Sequence, residues 1–208
     1  MNASRMAAVP RARWLVVVAI ALAVGAASAS ASPFLGVKWS SRTVTYFDAT
    51  NRHSAVAEAA ARWNASGVNV RLVRTTSRSR VNVVVSASRS IRQCGAGVTD
   101  YTSTNGRMRK ATVLIFGGRC SRENQVFALT HEFGHVLGLG HETTRCSLMN
   151  RSGSDRGGDR CPMPRSSSVW RCRVIEQIDA QRAVRLYGGR AKPVRRNPFC
   201  PVPARPAG

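Results

Sequence analysis

Short runs of β-branched residues alternate along the chain with polar and turn-forming residues, and these runs predict the strands of a sheet. Five runs stand out, at 43–47, 68–73, 81–85, 97–102 and 111–116. The run at 97–102 has the weakest pattern. The run 81–85 is nearly continuous in valine. Such a run is typical of a strand that is buried on both faces.

Two stretches place apolar residues at helical spacing instead. The first covers 54–66 and predicts an amphipathic helix packed on the sheet, with Ser54 available as N-cap and Gly67 just beyond its end. The second covers about 123–137 and has Ser121 available as its cap. The chain therefore combines strands and helices around one core.

The N-terminal 31 residues have the pattern of a cleaved secretory signal. Arginines precede an apolar run over 14–27, and small residues suited to a signal peptidase follow. The run is shorter than the roughly 20 residues that a membrane-spanning helix needs, and no later segment has the pattern of one. We expect a secreted protein with a signal peptide over 1–31, one folded domain over 32–189 and a tail rich in proline and arginine over 190–208.

All six cysteines follow the predicted signal; they are Cys94, Cys120, Cys146, Cys161, Cys172 and Cys200. An even number of cysteines in an exported chain predicts disulfides rather than metal ligands, and the sequence does not choose among the possible pairings. An inhibitory thiolate at Cys94 is the competing interpretation. It is disfavoured because Cys94 follows the first predicted helix and at least two predicted strands, whereas such a thiolate belongs in a propeptide ahead of the folded domain.

The chain is strongly basic, with a formal net charge of +22, of which three arginines in the acid-free segment 1–31 contribute three charges. The +19 that remains favours electrostatic contact with anionic cell-surface polymers. The arginines are spread along the chain, however, so solvated surface arginines are the favoured explanation. No helix-turn-helix, zinc-finger or aromatic RNA-binding pattern occurs, and we expect no specific nucleic-acid binding.

The most informative segment begins at His131 and reads His-Glu-Phe-Gly-His-Val-Leu-Gly-Leu-Gly-His. Residues four apart share one face of a helix, so His131 and His135 can bind a single ion. Glu132 would lie beside that ion without binding it. Gly138 lets the chain leave the helix and return with His141 as a third ligand. Three protein ligands leave the fourth tetrahedral position open, which is typical of catalytic zinc.

With this motif and with Met149, eight residues after His141, the chain resembles the metzincin clan of zinc endopeptidases, and within it the matrixins. The resemblance spans about 36–189 and implies an α+β fold: a twisted, mixed, mostly parallel sheet with an active-site helix, a backing helix and a C-terminal helix. The segment 174–188 resembles the family's closing helix. By resemblance, Met149 forms the Met-turn beneath the imidazoles, and Asp179 braces that turn from behind.

The chain departs from the matrixin pattern in three places. Glu142, directly after the third histidine, is more typical of astacins, although astacins place their Met-turn further along the chain. The loop that follows Asn150 lacks the Tyr-Pro of the matrixin specificity pocket, so the cleavage preference stays open. The histidines of a second, structural zinc are missing as well. We expect one zinc ion, and calcium sites that are possible but cannot be assigned.

Motif and resemblance together predict a monomeric zinc endopeptidase that hydrolyses protein or peptide substrates, with Glu132 as the general base. An extended substrate could add to the sheet along the fourth predicted strand, through the residues Gly97, Val98, Thr99, Asp100 and Tyr101. An ordinary surface strand is the alternative for that segment. The alternative function is a non-catalytic, zinc-stabilised module that attaches to anionic cell-envelope polymers. Glu132 argues against it, because such a module needs no carboxylate beside an open metal position.

Overall fold

The computed structural model of the protein describes residues 33–142, 147–150, 175–192 and 194. The predicted signal peptide, most of the predicted tail and four of the six cysteines lie outside these residues. Among the described residues, no helix combines the length and the apolar character that a membrane crossing requires.

In the described part of the chain, five strands form one mixed sheet, two helices pack on it and a third helix lies near the C-terminus, so the α+β fold with a mostly parallel sheet is confirmed. In chain order the elements are β1 (Thr43–Asp48), α1 (His53–Ala65), β2 (Arg71–Thr75), β3 (Val83–Ser88), β4 (Gly97–Thr104), β5 (Arg107–Phe116), α2 (Arg122–Val136) and α3 (Gln177–Tyr187). The strand order is β2-β1-β3-β5-β4, and β4 runs antiparallel to β5 while the other neighbours are parallel. The strand β4 therefore forms one edge of the sheet.

The core lies on one face of the sheet, beneath α1 and α2. Val83 and Val85 of β3 and Val113 of β5 are fully buried, whereas Val84 points the other way and is partly exposed. The prediction that the valine run is buried on both faces is therefore wrong. The reason is that α1 and α2 pack against each other on the same side of the sheet, which leaves the side chains of the opposite face in contact with solvent.

The two longer helices begin in different ways. The Ser121 hydroxyl accepts a hydrogen bond from the Asn124 N–H at 3.3 Å, so the predicted cap of α2 is confirmed. The helix α1 has Arg52 at its N-cap position, without a side-chain cap bond, and the prediction of Ser54 as its cap is wrong. The turn before α1 is already fixed by Asp48, whose carboxylate accepts from the backbone and the hydroxyl of Thr50.

Two buried tryptophans fix α2 relative to the rest of the fold. The indole N–H of Trp63 in α1 donates to the carbonyl of Thr130 at 2.8 Å, and that of Trp39 donates to the carbonyl of Val136 at 2.7 Å. Each bond satisfies a donor that would otherwise be buried without a partner. The helix is thus held at its middle and at its C-terminal end.

Candidate metal centre

The helix α2 carries the first two predicted ligands on one face. His131 and His135 lie one turn apart, with ring centroids 4.7 Å apart and the two ring planes nearly perpendicular. His131 is buried, and His135 is partly exposed. The spacing of four residues therefore brings both imidazoles to one point, as the sequence predicted.

A glycine turn returns the chain to this point. Gly138 has φ +84, and a Cβ there would lie 2.2 Å from the carbonyl oxygen of Val37, so both the backbone conformation and the space require glycine. After the turn, the ring of His141 lies 5.4 Å from that of His131 and 4.7 Å from that of His135. One potential ligand atom from each of the three histidines lies within 4.8 Å of the others.

Backbone carbonyls determine which ring nitrogens are available for a metal. The Nδ1 atom of His131 is 2.8 Å from the carbonyl oxygen of Leu148, and the Nδ1 atom of His135 is 2.8 Å from that of Leu139. Because a carbonyl can only accept, each Nδ1 carries the proton and each Nε2 keeps a free lone pair. Burial, and with it the charge of His135, lowers the pKa of His131 to about 3. The ring is therefore neutral at neutral pH, as a metal ligand must be. The three residues fit a zinc ion.

Glu132 is buried next to the first ligand, with 4% of its surface exposed. Burial raises the pKa of its carboxyl to about 7, against the effect of a hydrogen bond from Thr99, which lowers it. The Thr99 hydroxyl donates to Oε2 of Glu132 at 2.7 Å. A carboxyl group with a pKa near 7 can both take up and release a proton at neutral pH.

Met149 lies beneath the helix that carries the ligands. The residue is fully buried, and a Cβ on Gly134 would lie 2.3 Å from its sulfur atom. Gly134 stands between His131 and His135 in α2, so the absence of a side chain there lets the thioether approach the helix backbone. These contacts place Met149 against α2 between the two histidines, and its role as a base beneath the imidazoles stays a prediction.

Asp179 of α3 holds the turn that contains Met149. Its carboxylate accepts from the Ser147 hydroxyl, from the backbone N–H of Leu148 at 2.9 Å and from that of Glu176 at 3.2 Å. Burial raises the pKa of Asp179, and these hydrogen bonds oppose that effect. Because the carbonyl of Leu148 in turn contacts His131, Asp179 is connected to a predicted metal ligand through one residue.

Glu142, the residue after the third ligand, also connects the site to α3. It is buried, and its carboxylate pairs with the guanidinium of Arg182. The backbone N–H of Glu142 donates to the carbonyl of Met149 at 2.9 Å, and the side-chain amide of Asn150 donates to the carbonyl of Glu142 at 2.8 Å. The segment after His141 is therefore joined to both the Met149 turn and the C-terminal helix.

The predicted substrate strand lies at the edge of the sheet, beside α2. The residues Gly97–Tyr101 form the first part of β4, paired with β5. Val98, Asp100 and Tyr101 are exposed, while Gly97 and Thr99 are partly buried. The structure thus places this strand next to Glu132, and binding of a peptide to it stays a prediction.

Two features of the site were missed at the level of sequence. Nothing in the chain near Thr99 indicates its hydrogen bond to Glu132, which depends on how β4 folds back on β5. The role of Gly134 did leave a signal, since glycine in the interior of a helix is unfavourable by about 1 kcal/mol relative to alanine and calls for a packing reason.

A disulfide joins the segment before β4 to the segment before α2. It links Cys94 and Cys120, whose Cα atoms are 5.4 Å apart. Cys94 is therefore a disulfide cysteine, as predicted, and not an inhibitory thiolate. The pairing of the other four cysteines, which lie outside the described residues, stays open.

Residues 42–181, more than half of the chain, match the model of a family described as the Streptomyces extracellular neutral proteinase (M7) family. Among solved structures, one titled "Structure of Myroilysin" is 20% identical with a TM-score of 0.39, and the match covers 53% of this chain and 49% of that chain. A second, titled "Crystal structure of myroilysin", is 21% identical with a TM-score of 0.38, covering 55% and 50%. The chain spans about half the length of these structures. No curated protein matches the chain.

Proposed function

The chain belongs to the Streptomyces extracellular neutral proteinase (M7) family, and we propose from that premise that it is a zinc-dependent endopeptidase with Glu132 as its general base. The observation that carries the proposal is the convergence of three imidazole ligand atoms within 4.8 Å, with a buried carboxyl on the residue next to the first ligand. A protein that used zinc only for stability would have no need of that carboxyl.

Zinc suits a donor set of three imidazoles, which leaves one coordination position for water or substrate. When bound, zinc would polarise the scissile carbonyl and lower the pKa of the attacking water. The histidines contribute orientation: the carbonyls of Leu148 and Leu139 hold the Nδ1 protons of His131 and His135 and so direct each Nε2 toward the common point.

Glu132 has the properties of a proton shuttle. Burial raises the pKa of its carboxyl above the usual range for glutamate, which makes the carboxylate a stronger base toward the attacking water. As the bond between water oxygen and carbonyl carbon forms and the carbon–nitrogen bond breaks, the same carboxyl returns the proton to the departing amine. No covalent enzyme intermediate is needed in this sequence.

We place the substrate along β4, through Gly97–Tyr101. The strand lies at the sheet edge, its outer backbone groups pair with no other described strand, and such groups bind an extended peptide without demanding a particular sequence. Its own residue Thr99 contacts Glu132. A peptide added to this edge would therefore lie beside the general base.

We also assign the chain to the metzincin type and to the extracellular space. The first assignment is supported by the Gly138 turn, by Met149 against Gly134, and by Asp179 behind Met149. The second is supported by the signal-like pattern of residues 1–31 and by the disulfide, which forms and persists in oxidising compartments. The net charge of the full chain, +22, falls to +19 once the three arginines of the predicted signal are removed, and that surplus is compatible with electrostatic contact with anionic cell-surface polymers.

The test uses the full chain, exported by a host that forms disulfides, and measures digestion of casein and gelatin. We expect cleavage that a chelator abolishes and that added zinc restores at one ion per chain. If the protein binds zinc but digests neither substrate, nor any protein in a denatured proteome, the enzyme proposal is wrong. The non-catalytic zinc-stabilised module would then be favoured.

A further inference from the structure

The edge strand β4 contacts the side chain of Glu132 directly. Thr99 Oγ1 lies 2.7 Å from Oε2 of Glu132 and 3.2 Å from the backbone carbonyl oxygen of the same residue. We propose that Thr99 is a positioning residue that fixes the orientation of the Glu132 carboxylate for its reaction with water. This inference rests on the proposed function, because it assigns Thr99 a part in the same hydrolysis.

The direction of the Thr99 side chain follows from the register of the sheet. Thr99 pairs with Val113 of β5, and Val113 is fully buried on the face beneath α2. Side chains that pair directly across two strands point to the same face. Thr99 therefore faces α2 and Glu132, while its neighbours Val98 and Asp100 point away.

Gly97, two residues earlier on the same face, provides the space that the carboxylate needs. A Cβ at Gly97 would lie 2.7 Å from Cγ, 2.9 Å from Oε1 and 3.0 Å from Cδ of Glu132. Contacts this short would displace either the glutamate or the strand. The strand β4 thus contributes both an empty volume and a hydrogen-bond donor to the same side chain.

The hydrogen bonds of Glu132 differ from those of Asp179, a buried carboxylate with a structural role. Asp179 accepts from three donors through both of its oxygens. Thr99 occupies only Oε2 of Glu132, and no donor among the described residues reaches Oε1. Holding one oxygen restricts rotation of the carboxylate and leaves the other oriented and available for the attacking water.

Within β4, different groups would bind the substrate and orient the Glu132 carboxylate. A peptide on the sheet edge would bind through backbone groups of β4, whereas the Thr99 side chain lies on the α2 side of the strand. Loss of the hydroxyl should therefore lower kcat and leave KM nearly unchanged. A residue that only supported the strand would affect KM and stability instead.

The experiment compares Thr99→Val, which removes the hydroxyl, with Thr99→Ser, which retains it. We expect kcat to fall about 10- to 100-fold in the valine variant, as for loss of a hydrogen bond to a charged group. KM should change less than about two-fold, and zinc content should stay at the wild-type value. The kcat of the serine variant should lie within about three-fold of the wild-type value. The matched control is Thr104→Val, the same change at an exposed position in the far part of β4, which should be indistinguishable from wild type.

A second variant and a structural readout make the test independent of this single change. Gly97→Ala should also lower kcat with zinc retained, by displacing the carboxylate. Crystal structures of the metal-free wild type and Thr99→Val should show one Glu132 carboxylate orientation in the former and a rotated or divided one in the latter.

Three results would overturn the inference: unchanged kcat in Thr99→Val, a change confined to KM, or the same Glu132 orientation in both crystals. Failure of the proposed function looks different, because the wild type itself would then cleave nothing. In that case the crystallographic comparison still decides whether Thr99 fixes the orientation of the Glu132 carboxylate.

Discussion

The two sides of the candidate site are built in contrasting ways. On the predicted metal side, His131, Met149 and Asp179 are buried. Leu148 connects His131 to Asp179 by hydrogen bonds, and Met149 packs against Gly134. On the substrate side, Val98 and Tyr101 of β4 are 44% and 37% exposed at the edge of the sheet. The contrast teaches that the core fixes the geometry of the three histidines, whereas the strand beside them has an exposed edge.

The two sides meet at Glu132, which belongs to the helix of the metal side but is held by Thr99 of the substrate side. Changes on the metal side should therefore affect zinc binding and stability together. Changes on the exposed face of the strand should affect neither. The following predictions test this division, from the largest expected effect to the smallest.

The largest effect on zinc binding should follow from removal of a predicted ligand. His135→Ala leaves two imidazoles at the site, and we expect zinc to be lost at micromolar concentrations and cleavage to fall by at least about 1,000-fold. Metal analysis after gel filtration and a casein assay measure the two effects. Full activity with zinc retained would show that His135 is not a ligand.

Asp179→Asn should weaken the metal side without touching a ligand. The amide has one acceptor oxygen in place of two, so at least one of the donors at Ser147 and Leu148 loses its partner, and the free energy of unfolding should fall by about 2 kcal/mol. Zinc affinity should fall about 10-fold, because the carbonyl of Leu148 orients His131.

Urea unfolding and a competition assay with a metal indicator measure these effects. The matched control is Glu123→Gln at an exposed position in the first turn of α2, which should change stability by less than about 1 kcal/mol. Equal effects of the two substitutions would show that Asp179 does not stabilise the turn that contains Met149.

The metal-free protein should lose stability in acid because of His131, a buried residue of the metal side. Its buried His131 has a pKa near 3, whereas a histidine in the unfolded chain has a pKa of about 6.5. Between these values the unfolded chain binds a proton that the folded chain does not, so stability is full above about pH 6.5 and declines as the pH falls toward 3. Urea midpoints in chelator at pH 7 and pH 4.5 should differ more in the wild type than in His131→Gln. The same difference in both proteins would rule out this cause.

The smallest effect is expected on the exposed face of β4. Val98→Thr keeps a β-branched residue in the strand, so the free energy of unfolding should change by less than about 0.5 kcal/mol and zinc binding should not change. Only KM for peptide substrates is expected to respond, as kinetics with a fluorogenic peptide would show. A loss of about 2 kcal/mol would mean that Val98 belongs to the core.

The sequence predicted the convergence of the three histidines because that geometry is local. Two histidines four residues apart, a glycine at φ +84 and a third histidine are contiguous in the chain, so helix periodicity and one turn define the ligand set. Met149 and Asp179 became interpretable only through the resemblance, since a lone methionine or aspartate has no pattern of its own.

The substrate side was less predictable because its contacts are distant in sequence. Thr99 and Glu132 are 33 positions apart, and they meet only because β4 pairs antiparallel with β5 at the sheet edge. The two errors have a related origin: Val84 faces solvent because both α1 and α2 cover the other face, and Ser54 is not a cap because Asp48 and Thr50 fix the turn before it. Each depends on tertiary packing rather than on local pattern.

The most direct test of the central claim is the peptide-cleavage rate of zinc-loaded Glu132→Ala, with zinc content determined on the same sample. The ligands are intact in this variant and only the proton acceptor is missing, so we expect one zinc ion per chain and a rate lower by several orders of magnitude. A variant that retains its zinc and cleaves peptides at the wild-type rate would contradict the account.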